Sequence, residues 1–463
     1  MEKIKVLNPY NQEVIGEVQL SDANEMEKAI QLAYNTFNDR SKWLPKYKRV
    51  EILEKTISLM SSRKEELTLI AAREGGKPYQ DSAVEVDRAI NGVRLAIEDL
   101  SYFAGEEIPM GHTKSSADRL AFTRREPIGV VASISAFNHP LNLIIHQVVP
   151  AIAVGAPVIV KPAATTPMSC FNFVEILYEA GLPREFCQAL LCDNDVAEKL
   201  VTDDRVNFLS FIGSAKVGWM LRSKVAPGTR CALEHGGVAP VVVSQHANLK
   251  DNIAGLVKGG FYHAGQVCVS VQRIYVHETI CNDFCDMFVQ AVKQLKTGNQ
   301  MDEDTDCGPL ILPRETDRVE SWVNEAVEKG AGLLVGGKRI SDSLFEPTVL
   351  LNPSEDSKIS KEEVFGPVVC IYSYKEDAEV VSRCNQLPYA FQASVITDHL
   401  EEALYFTQRI NATAVMVNDH TAFRVDWMPF GGRDQSGLAM GGIKYSIHDM
   451  SREKLVVIKS KNL

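Results

Sequence analysis

An α/β protein of two tandem units, each a largely parallel sheet with covering helices, is the fold class this chain predicts, and three observations predict it. At 463 residues the chain exceeds what one ordinary hydrophobic core holds. Its composition, 45% hydrophobic and 24% charged, is that of a globular protein rather than a disordered segment or a coiled coil. Beyond Pro127, short apolar β runs alternate with helical stretches, the texture of parallel sheets joined by crossovers.

The elements follow in order. From about residue 22 to 104 the periodicity is helical: Met26, Ile30, Ala33 and Phe37 share one face, as do Val50, Leu53, Ile57 and Met60. Asp22 with Glu25 three residues on has the form of a capping box opening the first of these helices. Apolar β runs then fall at 129–135, 157–160, 189–191, 206–211 and 241–243. Between them, 171–180 reads as a crossover helix closed by Gly181 and Pro183. A second series continues with a helix over 251–262, a strand at 274–276, a helix over 280–295 and a strand at 348–350. The break is set near Gly236-Gly237, read as a flexible pair after a β run. One unit is therefore expected from 1–108 and 128–236, and the other from 237–435. Segments 109–127 and 446–463 fit neither series and are read as a small oligomerisation element.

Composition also excludes. A formal net charge of −11, with no basic stretch interleaved with aromatics, argues against binding nucleic acid or an anionic membrane. A small anionic substrate stays open, because a local group of Arg or His suffices for it. No apolar run reaches the roughly 18 residues that a membrane span needs, and the first residues lack a secretory pattern. The ten cysteines are irregularly spaced, without Cys-x-x-Cys or His/Cys clusters at zinc spacing. Reduced thiols in the cytoplasm, no disulfide and no metal are expected.

Five features carry chemistry. Cys268, in Gly265-Gln266-Val267-Cys268, offers a thiol nucleophile, and Glu234, in Leu233-Glu234-His235-Gly236-Gly237, offers a carboxylate base able to activate water against a thioester. Asn138, in Phe137-Asn138-His139-Pro140, stands where a strand meets a loop and presents an amide to a developing oxyanion. Lys161 ends the buried run 156–160, placed for a cofactor hydroxyl or phosphate. Ile212-Gly213-Ser214 joins a strand to a helical turn, where backbone N–H groups face a pyrophosphate, although the sequence is not a G-x-G-x-x-G fingerprint. Each alone is an ordinary feature: a buried cysteine, a surface carboxylate, a turn asparagine, a solvated lysine. Their joint occurrence in this order is hard to obtain by chance.

With Glu363-Val364-Phe365-Gly366-Pro367 and Pro429-Phe430-Gly431-Gly432 added, the chain resembles the NAD(P)-dependent aldehyde dehydrogenase superfamily from end to end. The resemblance implies that superfamily's fold: two Rossmann-like domains, the first binding cofactor and the second catalytic, plus a small β element for a homodimer or homotetramer. It implies that Cys268 attacks an aldehyde, that Asn138 and the Cys268 N–H hold the oxyanion, and that Glu234 activates water. It implies that Lys161, Pro162, Ala164, Gly213, Ser214, Val217, Glu363 and Phe365 hold NAD or NADP. Ala164 stands where relatives often carry an acidic residue for the adenosine ribose, so NADP is expected to be tolerated or preferred. His235 and His263 replace a commoner Leu and Asn, and the second change bears on how the Cys268 loop is aimed. The tail around Phe423-Arg424 most resembles lactaldehyde, phosphonoacetaldehyde and sulfolactaldehyde dehydrogenases. His139, His420, Phe423 and Arg424 are accordingly expected to meet a small hydroxylated or anionic aldehyde, lactaldehyde-like, oxidised to a free acid. Succinate semialdehyde and phosphono- or sulfo-aldehydes are the alternative substrates, and a CoA-acylating or catalytically silent relative the alternative functions.

Overall fold

The computed structural model describes residues 2–463. A six-stranded sheet runs in the order Gly437–Leu438, Arg230–Glu234, Val206–Ile212, Val130–Ile134, Val158–Lys161 and Cys187–Ala189. Only the short Gly437–Leu438 edge strand is antiparallel to its neighbour. Central strands buried on both faces read as continuous apolar runs, which is why Val130–Ile134 and Val158–Lys161 are legible in the sequence. Alternate side chains point to opposite faces. Val131, Val158 and Val160 join the core with Ile52, Val93 and Ile145, whereas Val130, Ala132 and Ile159 join that with Met26, Ile30 and Leu200.

A seven-stranded sheet runs Gly332–Val335, Thr348–Leu351, Val368–Tyr374, Arg273–His277, Pro240–Val243, Gln392–Ile396 and Ala414–Val417. It is parallel except for its first strand. Its two faces make separate cores by the same alternation, Val242 and Tyr275 on one side, Val241, Val243 and Ile274 on the other. A third sheet is antiparallel, with Ser451–Lys459, Arg119–Pro127 and Glu107–Ile108, and leaves Leu455, Val457 and Ile458 exposed. Among the described residues no helix is long and apolar enough to cross a membrane.

The helical stretch resolves into Ala23–Asn38, Lys46–Ser62, Lys64–Gly75 and Tyr79–Tyr102. The capping box is present: Asp22 Oδ1 accepts from the Asn24 and Glu25 N–H, and the Asp22 N–H donates to Glu25. Four readings need correction. The strand expected at 189–191 is Cys187–Ala189, because Leu190 and Leu191 are buried by packing without extending the strand. The hairpin of Lys3–Leu7 and Val14–Gln19 is absent from the sequence reading, its largely exposed faces giving no apolar alternation. Segment 446–463 begins inside the helix Ile443–Asp449 and becomes a strand only at Ser451. Gly236-Gly237 is buried rather than a flexible joint.

Candidate active site

The carboxyl ends of three neighbouring strands of the six-stranded sheet open on one cavity of about 570 Å³. Asn138 and His139 follow Val130–Ile134, Gly213 and Ser214 follow Val206–Ile212, and Glu234 ends Arg230–Glu234. The opposite wall comes from loops entering two adjacent strands of the seven-stranded sheet. Cys268 precedes Arg273–His277, while Glu363 and Phe365 precede Val368–Tyr374. Ligand sites favour such junctions between strand ends and neighbouring units.

The Cys268 loop is held under strain. His263 and Ala264 both have φ of 52° and Gly265 has φ of 69°, a left-handed run that costs energy at the non-glycine positions. Gln266 fixes it: its side chain donates to the His263 and Pro309 carbonyls and accepts from the Ile311 N–H at 2.9 Å. Its own carbonyl accepts Asn138 Nδ2–H at 3.0 Å. The oxyanion candidate is thus tied to the nucleophile loop, with its second amide N–H left over. A side chain at Gly265 would place Cβ 2.1 Å from the Gly366 carbonyl oxygen, so only glycine lets these loops meet.

Burial pushes the Cys268 thiol up, the charges of Glu363 and Glu234 push it further, and Arg424 pulls it back. Burial also raises Glu234, again opposed by Arg424. Glu363 is pushed up to about 8 by burial, against Arg318 and the Gly237 N–H. One Glu363 oxygen is buried without a hydrogen-bond partner. Gly236 explains its position, because a Cβ there would lie 1.8 Å from that oxygen.

On the other side of Cys268 the walls turn cationic. Arg88 pairs bidentately with Asp426, at 3.0 and 2.8 Å. Asp426 also accepts from His146 Nε2 at 2.9 Å. Burial, then Arg424, push His146 down to about 4, so it is a neutral donor at neutral pH. Although burial opposes it, those bonds hold the Asp426 carboxyl far below the usual carboxylate range. The Arg424 guanidinium stacks 3.5 Å above the Phe430 ring and lies 4.0 Å from Asp426, its Nε without a partner. His139 Nε2 meets the Tyr262 hydroxyl at 2.6 Å. Burial, then Lys77, keep His139 neutral.

Ten expected residues thus share one cavity: Cys268, Glu234, Asn138, His139, Gly213, Ser214, Val217, Glu363, Phe365 and Arg424. Lys161, Pro162, Ala164, His420 and Phe423 do not reach its walls. Lys161 Nζ donates to the Pro162 carbonyl, Ala164 is exposed in a turn, His420 packs against Gly259, and Phe423 is exposed. Sequence reading missed Arg88, Tyr262, Arg318 and Trp322. A signal for Arg88 exists: Asp81, Glu85, Arg88 and Gly92 make one stripe of Tyr79–Tyr102, and charge on a stripe beside the buried Ala89 and Val93 marks a polar site.

The cavity fits a dinucleotide. Ser214 caps the helix Ala215–Arg222 without using its hydroxyl there, leaving donors for phosphate at the helix N-terminus. A Cβ on Gly213 would press on the Phe211 ring at 2.8 Å. The orphan Glu363 oxygen supplies an acceptor for hydroxyl groups, and the rings of Phe137 and Phe365, 5.8 Å apart and edge to face, line the same wall.

Comparison with known proteins bears on family and fold. The sequence profile of the Aldehyde dehydrogenase family matches residues 1–456. The chain is 39% identical over 462 residues to 3-sulfolactaldehyde dehydrogenase of Priestia aryabhattai, covering 99% of this chain and 95% of the other. It is 38% identical to lactaldehyde dehydrogenase of Methanocaldococcus jannaschii, covering 99% and 97%. Among solved structures it is similar to glyceraldehyde-3-phosphate dehydrogenase of Methanocaldococcus jannaschii complexed with NADP, with a TM-score of 0.94, 37% identity and 99% of each chain covered.

Proposed function

The chain belongs to the aldehyde dehydrogenase family, and from that premise we propose that it oxidises a short, lactaldehyde-like 2-hydroxyaldehyde, with room for an anionic group at the far carbon, to the free acid. The observation that carries the reading is the pair of guanidiniums, Arg88 and Arg424, on the wall that also holds Cys268. Asp426 offsets only one of them, and the neutral His139 and His146 add no charge. The three relatives are named for lactaldehyde, sulfolactaldehyde and glyceraldehyde 3-phosphate; all are 2-hydroxyaldehydes, differing at the far carbon.

The chemistry follows from the side chains. Cys268, once deprotonated, adds its sulfur to the aldehyde carbon, and the oxyanion so formed takes hydrogen bonds from the free Asn138 N–H and the Cys268 backbone N–H. Bound NAD(P)+ supplies the acceptor for the hydride, leaving an acyl group on Cys268 as a thioester. Glu234 takes a proton from the water that attacks the thioester, and the thiol departs. Gly213, Ser214, Val217, Glu363 and Phe365 are the residues to hold the cofactor, and no acidic residue stands at Ala164 to repel a 2′-phosphate. Glu234 in the cavity supports release to water rather than transfer to CoA.

The test is a panel of lactaldehyde, sulfolactaldehyde, glycolaldehyde, phosphonoacetaldehyde and succinate semialdehyde, each with NAD+ and NADP+. The reading requires the highest kcat/KM on a 2-hydroxyaldehyde, and a clear preference for succinate semialdehyde, which lacks the hydroxyl, would replace it. The exposed Leu455, Val457 and Ile458 support reading the antiparallel sheet as a contact between copies of the chain, which sedimentation velocity checks.

A further inference from the structure

At the carboxyl ends of the seven-stranded sheet, opposite the amino end where Cys268 lies, two neighbouring strands end alike. Pro240–Val243 and Gln392–Ile396 are parallel, with Val243 opposite Ile396. The first continues as Ser244-Gln245-His246 and the second as Thr397-Asp398-His399. In both, the hydroxyl oxygen accepts the backbone N–H of the histidine two residues on, at 3.1 Å. Sheet register then sets the imidazoles side by side, stacked with centroids 3.7 Å apart and planes 15° from parallel.

Both hydroxyls also donate to one oxygen of Glu402, Ser244 at 2.5 Å and Thr397 at 2.6 Å. The other Glu402 oxygen faces His246 Nδ1 at 2.6 Å. One ligand atom from each of His246, His399 and Glu402 can be chosen so that all lie within 4.8 Å of one another. The Asp398 N–H donates to the His246 carbonyl at 3.1 Å, which ties the two strand ends together.

We propose that His246, His399 and Glu402 bind a divalent transition-metal ion of the zinc class. Two imidazole nitrogens and a carboxylate oxygen are a zinc donor set, with water in the fourth position, whereas calcium and magnesium require oxygen ligands. The hydroxyls on Glu402 are the outer-shell bonds that orient a ligating carboxylate. The stacked rings must turn about their Cβ–Cγ bonds so that their in-plane lone pairs converge, and the exposed His399 has the freedom to do so. Cys268 lies at the amino end of the Arg273–His277 strand, which is parallel to Pro240–Val243, so the ion sits across the sheet from the reaction. It cross-links two strand ends and the first turn of the helix Leu400–Arg409. Sequence spacing gives little hint of it, because His399 and Glu402 are three residues apart but His246 joins them only through the pairing of distant strands.

The test is calorimetric titration of the full chain with Zn2+ in a non-chelating buffer, for wild type, His399→Ala and Cys268→Ser, the last removing the thiol that competes for zinc. One saturable ion per chain is expected in wild type and Cys268→Ser, with affinity lowered by at least about tenfold in His399→Ala. Co2+ in its place is expected to give tetrahedral d–d absorption without a thiolate charge-transfer band. His246→Gln repeats the loss at a second donor. The proposal is overturned by absence of saturable binding, by binding that Cys268→Ser removes and His399→Ala does not, or by a thiolate band in the cobalt spectrum.

Discussion

Replacing Arg424 by Met removes the one guanidinium that is next to Cys268 and not committed to a carboxylate. Met keeps an unbranched apolar stem against Phe430, so packing over that ring is largely retained. Arg88 pairs its Nε–Nη2 edge with Asp426, at 3.0 and 2.8 Å, whereas Arg424 has an unpartnered Nε and sits 4.0 Å from the same carboxylate. With Arg424 gone, the local charge of this wall falls from one positive to zero. A hydrogen bond to a charged group contributes about 1.5–3 kcal/mol, and each 1.4 kcal/mol is about tenfold. The variant is therefore expected to lose about 10- to 100-fold in kcat/KM for an anionic aldehyde such as sulfolactaldehyde. Arg424 also lowers the Cys268 thiol, and its loss slows every substrate by a common factor. The ratio of kcat/KM for sulfolactaldehyde to that for propanal, from initial rates of NAD(P)H formation, cancels that factor. An unchanged ratio would refute the assignment of Arg424 to substrate charge and leave it a residue acting only on the thiol.

Four further outcomes follow from the same geometry. Glu234→Gln keeps the shape of the base but cannot take a proton, so rapid mixing with aldehyde should give a burst near one NAD(P)H per active chain and then turnover slowed by about 10²–10⁴-fold. Because burial raises Glu234, deacylation in wild type should fail as pH drops through a value above the ordinary carboxylate range, an acidic limb absent from the burst amplitude. Ala164→Glu should lower the NADP+ to NAD+ ratio of kcat/KM by at least about tenfold, through repulsion of the 2′-phosphate, and an unchanged ratio would place the adenosine ribose elsewhere. His146 titrates at about 4 when folded against 6.5 in a model peptide, so the unfolded chain binds more protons in that window. The stability that wild type holds above pH 6.5 is lost as pH falls to 4, by about 3 kcal/mol. Denaturant titrations of His146→Gln, whose amide can still donate to Asp426, should lack that component.

What could be read from the sequence depended on whether a residue's signal was local. Parallel strands buried on both faces, such as Val158–Lys161, declare themselves as apolar runs, and the residues that end them were found with them. Asn138, Gly213 and Glu234 are strand-end residues of this kind, Cys268 is proposed from its pairing with Glu234, and Glu363 enters only through the family resemblance of its segment. Arg88 lies within a helix far from every motif, so its local signal is only the charged stripe it shares with Asp81 and Glu85, and tertiary packing brings it to Asp426. His420 and Phe423 are expected at the cavity because the whole segment around Phe423-Arg424 resembles a family's substrate entrance. The loop alternates direction, so Ala422 and Arg424 line the wall while Phe423 faces out. The exposed hairpin at the amino end gave no alternation to read.

The backbone contact between Gly265 and Gly366 ties two loops that chemistry would treat separately. One carries the sulfur and the other follows Glu363, proposed to meet the dinucleotide, and the gap between them is too narrow for a side chain, a Cβ on Gly265 falling 2.1 Å from the Gly366 oxygen. They form a single lever: a ligand that settles the Glu363 loop also settles the nucleophile. Attempts to retune cofactor choice through residues 363–366 will therefore register first as altered thiol reactivity, measurable by alkylation rate before any aldehyde is added.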